Sequence, residues 1–157
     1  MDWRRKPDWE TLVTGTATMA RYYSENYGLA PGSIRWMPNW VDLKRFEVLP
    51  DKCALRTELG WPADRKVVLF LHRLAERKGA QYIMPIARDI LARYPRGGAE
   101  LLFVVAGDGP WQPKLEQGIV EQGLGACFKV AGRVPNRDAI KYFKAADVVG
   151  GEFGGCA

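Results

Sequence analysis

From residue 66 onward the chain alternates between short runs that are apolar at every position and longer stretches where apolar residues recur every three or four positions. Residues 67–71 and 101–106 are such runs, residues 128–131 form a similar short run interrupted by Lys129, and Val148-Val149 begins a fourth. Between them, residues 80–94 place Ile83, Ala87, Ile90, Leu91 and Tyr94 at 3-4-3 spacing, which predicts a helix. Pro85 either kinks that helix or marks a late start. Residues 111–124 predict a weaker helix with Pro113 near its first turn, and residues 137–146 predict another. Strands that are continuously apolar and alternate with helices indicate a parallel sheet covered on both faces. The predicted class is therefore α/β, a Rossmann-like parallel sheet with flanking helices.

The first part of the chain is less regular. Residues 11–14 read as a short strand. Residues 16–27 read as a helix with Met19, Tyr22, Tyr23 and Tyr27 near one face, stopped by Gly28. Residues 33–37 suggest a second strand, ended by the turn signal Pro38-Asn39. Residues 42–52 are polar and irregular, as in a linker, and residues 53–60 read as a short helix closed by Gly60. At the other end, "ADVVGGEFGGCA" starts a strand and stops in glycines. An open doubly wound sheet has five or six strands in its common forms. The expectation is a fragment of a larger protein.

Composition narrows the setting. The 157 residues are close to the size of one domain, 47% hydrophobic and 26% charged. The net charge of +5 and a pI near 9.2 favour anionic partners without choosing among phosphorylated small molecules, an acidic membrane surface and nucleic acid. Cys53, Cys127 and Cys156 form no CxxC pair, and the odd count suits free thiols in a reducing compartment. A single histidine leaves little material for a zinc site or a histidine-based triad. The start lacks an apolar signal core, and the longest apolar run, "LLFVVA", is six residues. The expectation is a soluble cytoplasmic protein.

The candidate chemistry lies at the strand ends. In an open parallel sheet, ligands bind beyond the carboxyl ends of the strands. Three such ends carry polar, glycine-containing loops: residues 73–79, Gly107-Asp108-Gly109-Pro110, and Gly132-Arg133-Val134-Pro135. They would bring Arg73, Lys78 and Arg133 to one edge. The stretch "LHRLAERKG" sets His72, Arg73, Arg77 and Lys78 against one acid, Glu76, just before a predicted helix. Cations at a helix N-terminus oppose its dipole at about 0.3–1 kcal/mol each, and a bound phosphate would reverse that sign. The loop is then either solvated surface or an anion site. Gly107 and Gly109 suit a tight turn, and Asp108 suits a cap for the next helix. The GxGxxG spacing of dinucleotide sites is absent. His72 suits packing or hydrogen bonding better than base catalysis. Trp3, Trp9, Tyr22, Tyr23, Trp36 and Trp40 suit core or interface packing better than base stacking.

Four stretches in order resemble the retaining GT-B glycosyltransferases of glycosyltransferase family 4 (group 1). They are "MPNWVDLKRF", "LRTELGWPADRKVVLFLHRLAERKGAQYI", "LLFVVAGDGPWQPKLE" and "FKVAGRVPNRDAIKYFKAADV", and the resemblance covers roughly residues 11–149. It departs from the family at His72 and Trp40, each standing where a glycine is usual. The family's "PS..E.fG…..E" stretch is not recognisable, although "GEFGG" echoes part of it around Glu152.

The resemblance implies a division of the chain. Residues 1–38 would be a remnant of the N-terminal, acceptor-side domain, 39–59 the interdomain linker, and 60–157 part of the C-terminal donor-binding domain. Arg73 and Lys78 would hold the donor diphosphate. Gly107, Asp108, Arg133 and Val134 would line the nucleotide site, with the backbone around Arg133-Val134 bordering the base. The implied partner is a UDP- or GDP-linked sugar, with no metal, no cofactor and no catalytic residue in this stretch, and peripheral membrane association is compatible. The implied activity is sugar transfer with retention, absent from this chain alone. A non-catalytic nucleotide- or anion-binding domain is the alternative. A nucleic-acid module is disfavoured because the Lys and Arg are scattered and carry no recognised motif.

Overall fold

The structure is a computed structural model that describes residues 11–37, 42–94 and 96–150. The chain divides into two compact units, one up to Leu43 and one from Lys44.

The first unit is a small β-α-β arrangement. Strand β1 (Leu12–Thr14) and strand β2 (Ile34–Trp36) run parallel, with Leu12 opposite Ile34 and Thr14 opposite Trp36. Helix α1 (Ala17–Tyr27) connects them. Thr16 caps it, its hydroxyl accepting from the Met19 amide at 3.1 Å, and Gly28 ends it in the left-handed region. Tyr22, Tyr23 and Tyr27 make edge and tilted ring contacts on one side, as the spacing predicts. Tyr22 and Trp36 are nonetheless exposed, so neither is a core residue of this unit. Trp3, Trp9, Pro38, Asn39 and Trp40 lie outside the described residues.

The second unit is a four-stranded, wholly parallel sheet in the order β5-β4-β3-β6. Its strands are β3 (Lys66–Leu71), β4 (Leu101–Ala106), β5 (Phe128–Gly132) and β6 (Val148–Gly150). Alternation along β3 and β4 serves two faces. Val67, Leu69, Leu102 and Val104 face one way, onto Leu55 and Trp61 near helix α3 (Lys52–Leu59) and Ala145 and Tyr142 of helix α7 (Asn136–Ala145). Phe70, Phe103 and Val105 face the other way, onto Ile83 and Ala87 of helix α4 (Ile83–Arg93) and Leu115 and Ile119 of helix α6 (Gln112–Glu121). Phe103 and Phe128 stack at 5.1 Å between centroids. The central strands β3 and β4 are covered on both faces, which is why they carry continuous apolar runs, whereas the outer strands differ, with Lys129 in β5 and exposed Val148 and Val149 in β6.

One local expectation is corrected, one open alternative is decided, and one element appears where no pattern pointed to it. Residues 42–52, read as irregular, hold helix α2 (Lys44–Glu47) and the start of α3, capped by Asp51 onto the Ala54 amide at 2.9 Å. Lys129 and Lys144 tie this segment down. Lys129 Nζ donates to the Leu59 and Gly60 carbonyls at the end of α3, and Lys144 Nζ to those of Phe46 and Leu49. The helix predicted over 80–94 starts late. Residues Ala80–Tyr82 form a 3-10 turn, and α4 begins at Ile83 with Pro85 in its first turn, where a missing N–H leaves no intrahelical bond unmade. The Gly-Gly stretch after Arg96 forms a one-turn helix, α5 (Gly97–Glu100), that its low helix propensity conceals.

Asp147, between α7 and β6, joins three elements. Its carboxylate accepts from the Val67 amide at 2.8 Å and from Lys52 Nζ at 3.0 Å, and pairs with the buried Arg56 guanidinium. Arg56 also donates to the carbonyls of Ala145 at 3.0 Å and Arg65 at 3.1 Å. Burial by itself raises the Asp147 carboxyl. The Val67 amide, Lys52 and Arg56 outweigh it and bring the pKa down to about 2.

Candidate functional site: a cleft at the carboxyl ends of the central strands

Strands β3, β4 and β5 all end on one edge of the sheet, and their loops are laced together by backbone bonds. The His72 amide donates to the Ala106 carbonyl at 3.1 Å and the Leu74 amide to that of Asp108 at 2.8 Å. The Trp111 amide donates to the Leu74 carbonyl at 3.0 Å and the Gly107 amide to that of Gly132 at 2.6 Å. Leu74 is fully buried and pins the first loop. Gly107 and Gly109 have φ of +138° and +153°, and a Cβ on them would lie 2.0 Å from the His72 carbonyl oxygen and 2.3 Å from that of Leu74. Two loop backbones pass there with no room for a side chain, so these glycines are structural.

The laced loops enclose a cleft of about 490 Å³. It is lined by Leu71, His72, Arg73, the run Ala106 to Gly109, Arg133 and Val134. An irregularity in the β4–β5 pairing pairs Ala106 with Gly132 and skips Ala131, which re-aims the chain just before Arg133. Arg73, Asp108 and Arg133 are exposed, and Val134 is half-buried. Two guanidinium groups and one carboxylate thus share an open, mostly cationic concavity. Such a site can hold an anion through charge-assisted hydrogen bonds.

Five of the six residues singled out from the sequence, namely Arg73, Gly107, Asp108, Arg133 and Val134, come together here. Lys78 is not among the lining residues. It closes a 3-10 turn (Glu76–Lys78) followed by Gly79 in the left-handed region, and the turn Ala80–Tyr82 separates it from α4. The expected placement of the basic loop directly on an α-helix N-terminus is corrected accordingly. Asp108 does not cap α6: Trp111 occupies that position with no side-chain cap bond. His72 was not singled out as a ligand residue, yet it lines the cleft. The signal that finds it is its position as the first residue beyond a buried strand. No group of three or more His, Cys, Asp or Glu side chains suited to a metal occurs among the described residues. No helix among them is long and apolar enough to cross a membrane.

The second unit is a parallel α/β sheet with a cationic cleft at its carboxyl edge, and the fold matches structures of GT-B glycosyltransferases. WaaG, a glycosyltransferase involved in lipopolysaccharide biosynthesis, superposes with a TM-score of 0.68 at 18% identity, over 88% of this chain and 37% of that one. HepE of Anabaena, solved in complex with UDP, superposes with a TM-score of 0.67 at 23% identity, over 89% of this chain and 37% of that one. Residues 51–150 match the family described as glycosyl transferases group 1, and the chain belongs to that family. Among curated relatives, the D-inositol 3-phosphate glycosyltransferase of Kineococcus radiotolerans is 29% identical over 89% of this chain and 33% of its own length. The 2-deoxystreptamine glucosyltransferase of Streptomyces kanamyceticus is 31% identical over 93% of this chain and 36% of its own length. The chain therefore spans about a third of the length of the relatives it matches.

Proposed function

We propose that this chain provides the donor-nucleotide site of a retaining GT-B glycosyltransferase of family 4 type. The observation that carries the reading is the convergence of Arg73, Asp108 and Arg133 on one cleft at the carboxyl ends of β3, β4 and β5. Family membership and a fold shared with a UDP-bound structure support it. In this reading Arg73, assisted by Lys78, holds the donor diphosphate, and Arg133-Val134 with Gly107 and Asp108 border the nucleoside. As the bond to the sugar breaks, charge accumulates on the leaving phosphate. A cation about 4 Å away at an effective dielectric near 20 is worth roughly 4 kcal/mol before desolvation. Fixed cations aimed at that charge lower the barrier, and the reading needs no metal ion for it. Either UDP or GDP suits the cleft chemistry. The reading places the protein in the cytoplasm, and its net charge of +5 suits peripheral contact with an anionic membrane surface.

The test is calorimetric titration of UDP and GDP into the wild type, Arg73→Ala and Arg73→Ala/Lys78→Ala. The expected result is binding that weakens about tenfold or more in Arg73→Ala, because a charge-assisted contact contributes about 1.5–3 kcal/mol. Equal affinity in all three proteins would remove the phosphate assignment. By itself the 157-residue chain is expected to bind donor without multiple turnovers of a nucleotide sugar. Nucleotide release above background that Arg73→Ala abolishes would show otherwise. A non-catalytic nucleotide-binding domain is the reading left if binding persists and a longer chain of the same sequence also fails to transfer sugar.

A further inference from the structure

We propose that Trp36 is the platform of a carbohydrate subsite on the first unit, where a neutral pyranose stacks on the exposed indole and hydrogen-bonds to Arg21 and Glu25. The inference goes beyond the donor-nucleotide reading and rests on it only for sugars as the ligand class.

The site is a hollow of about 310 Å³ between one face of α1 and the end of β2. It shares no residue with the cleft of the second unit. Trp36 lines it and is 63% exposed. The indole N–H donates to the Gly15 carbonyl at 3.1 Å. An indole N–H lies in the plane of its ring, so this bond holds the ring by its edge and uses neither face. Trp36 is thus fixed without being buried, which core packing does not explain. Ala20 and Ile34 add apolar walls, and the Ser24 hydroxyl is committed to the Leu29 carbonyl at 3.1 Å. The polar groups left are Arg21 and Glu25, both exposed and one helical turn apart. Arg before Glu is the less favourable order for an intrahelical pair, and no ion pair joins the two.

Those groups select a class of ligand. A pyranose has a face of C–H groups that suits an aromatic ring, and a rim of hydroxyls that each donate and accept. The guanidinium only donates and the carboxylate only accepts, so together they satisfy neighbouring hydroxyls. Their charges cancel, which favours a neutral ligand: a phosphate drawn by Arg21 would also meet Glu25. The volume sits at the low end for ligand pockets, roughly 300–1,000 Å³, which suits a single ring better than a nucleotide.

The experiment titrates the methyl glycosides of glucose, galactose, mannose and N-acetylglucosamine, and separately uridine, whose base also stacks, into the 15N-labelled chain. The readout is the Trp36 indole N–H signal, assigned through the backbone so that it needs no variant. Expected is a saturable shift of that signal by at least one glycoside. Affinity is expected to fall about tenfold in Trp36→Ala and in Arg21→Ala/Glu25→Ala, as loss of a stacking face or of charge-assisted hydrogen bonds gives. Trp36→Phe, which keeps an aromatic face, is expected to lose less. The double variant changes only exposed helix positions, so it decides the matter even if Trp36→Ala misfolds. No shift by any glycoside, a shift by uridine alone, or unchanged affinity in the variants overturns the inference. UDP titrated into the same samples keeps the two readings apart. UDP binding without glycoside binding leaves the donor-site reading standing, and glycoside binding at Trp36 without UDP binding overturns that reading alone.

Discussion

A methyl group at Gly109 would meet the Leu74 carbonyl oxygen at 2.3 Å, with backbone at φ of +153° that side chains rarely adopt. Gly125, within the α6–β5 connection, has open space around its would-be Cβ and no positive φ. Gly109→Ala is therefore expected to destabilise by about 1–3 kcal/mol, the scale of a strained backbone residue. Gly125→Ala is expected to stay near zero or gain up to about 1 kcal/mol by restricting the unfolded chain. Urea unfolding of both variants checks this, and equal losses would mean the two loops are not closely apposed. The same contact explains why "GDGP" was legible as a turn but not as a brace. A glycine announces unusual backbone, whereas the Leu74 carbonyl that requires it lies 35 residues earlier in the chain.

At the element scale, α3 tests whether the segment before β3 belongs to the second unit's core. Leu55 is fully buried among Trp61, Val67, Leu69 and Ala145. Leu55→Ala is expected to cost about 2–5 kcal/mol, whereas Val48→Ala, at a side chain 83% exposed, should change stability by less than about 0.5 kcal/mol. A change at Leu55 as small as that at Val48 would make α3 a peripheral segment. The central β-strands of the second unit were legible to within a residue or two, because burial on both faces forces continuous apolar runs that local polarity cannot imitate. Before β3, the strands β1 and β2 and the helices α1 and α3 were legible to within a residue, and α2 was not. The bonds nearest α2 come from the Lys144 side chain, 95 to 98 residues distant, and no local pattern reports them. The start of α4 was half legible: Pro85 allowed a kink or a late start, and only the αL turn at Gly79 and the 3-10 turn after it decide for the second. The cleft residues were legible because parallel topology carries strand ends to one edge. The turns between Lys78 and α4 were not legible, because the spacing says nothing of how many intervene.

At the scale of the whole molecule the cleft belongs to the second unit, and the closure of that unit depends on one carboxylate. Asp147 draws together Lys52 and Arg56 of α3, the Val67 amide of β3 and, through Arg56, the end of α7. These partners are 80 to 95 residues away, so sequence reading met Asp147 only within the family-like string at the end of α7. Burial opposes its ionisation, and the amide and the two cations prevail, so its pKa falls from 3.8 to about 2 in the folded chain. A depressed carboxyl stabilises the fold at pH values above its unfolded pKa and loses that contribution as pH falls through the folded one. The window is therefore from about pH 4 down to about pH 2, and the contribution lost across it is on the order of 2 kcal/mol. Asp147→Asn removes the charge and leaves Arg56, 6% exposed, without its anion. At pH 7 that is expected to cost roughly 3 kcal/mol, the lower end for breaking one side of a buried pair because the carboxylate itself keeps some contact with water. Unfolding of wild type and variant followed from pH 7 to 2.5 gives the decisive comparison. The gap between them should be constant above pH 5 and narrow steadily below pH 4, as the wild type loses what the variant never had. Parallel curves down to pH 2.5 would mean that the carboxylate does not hold α3, β3 and α7 together by its charge.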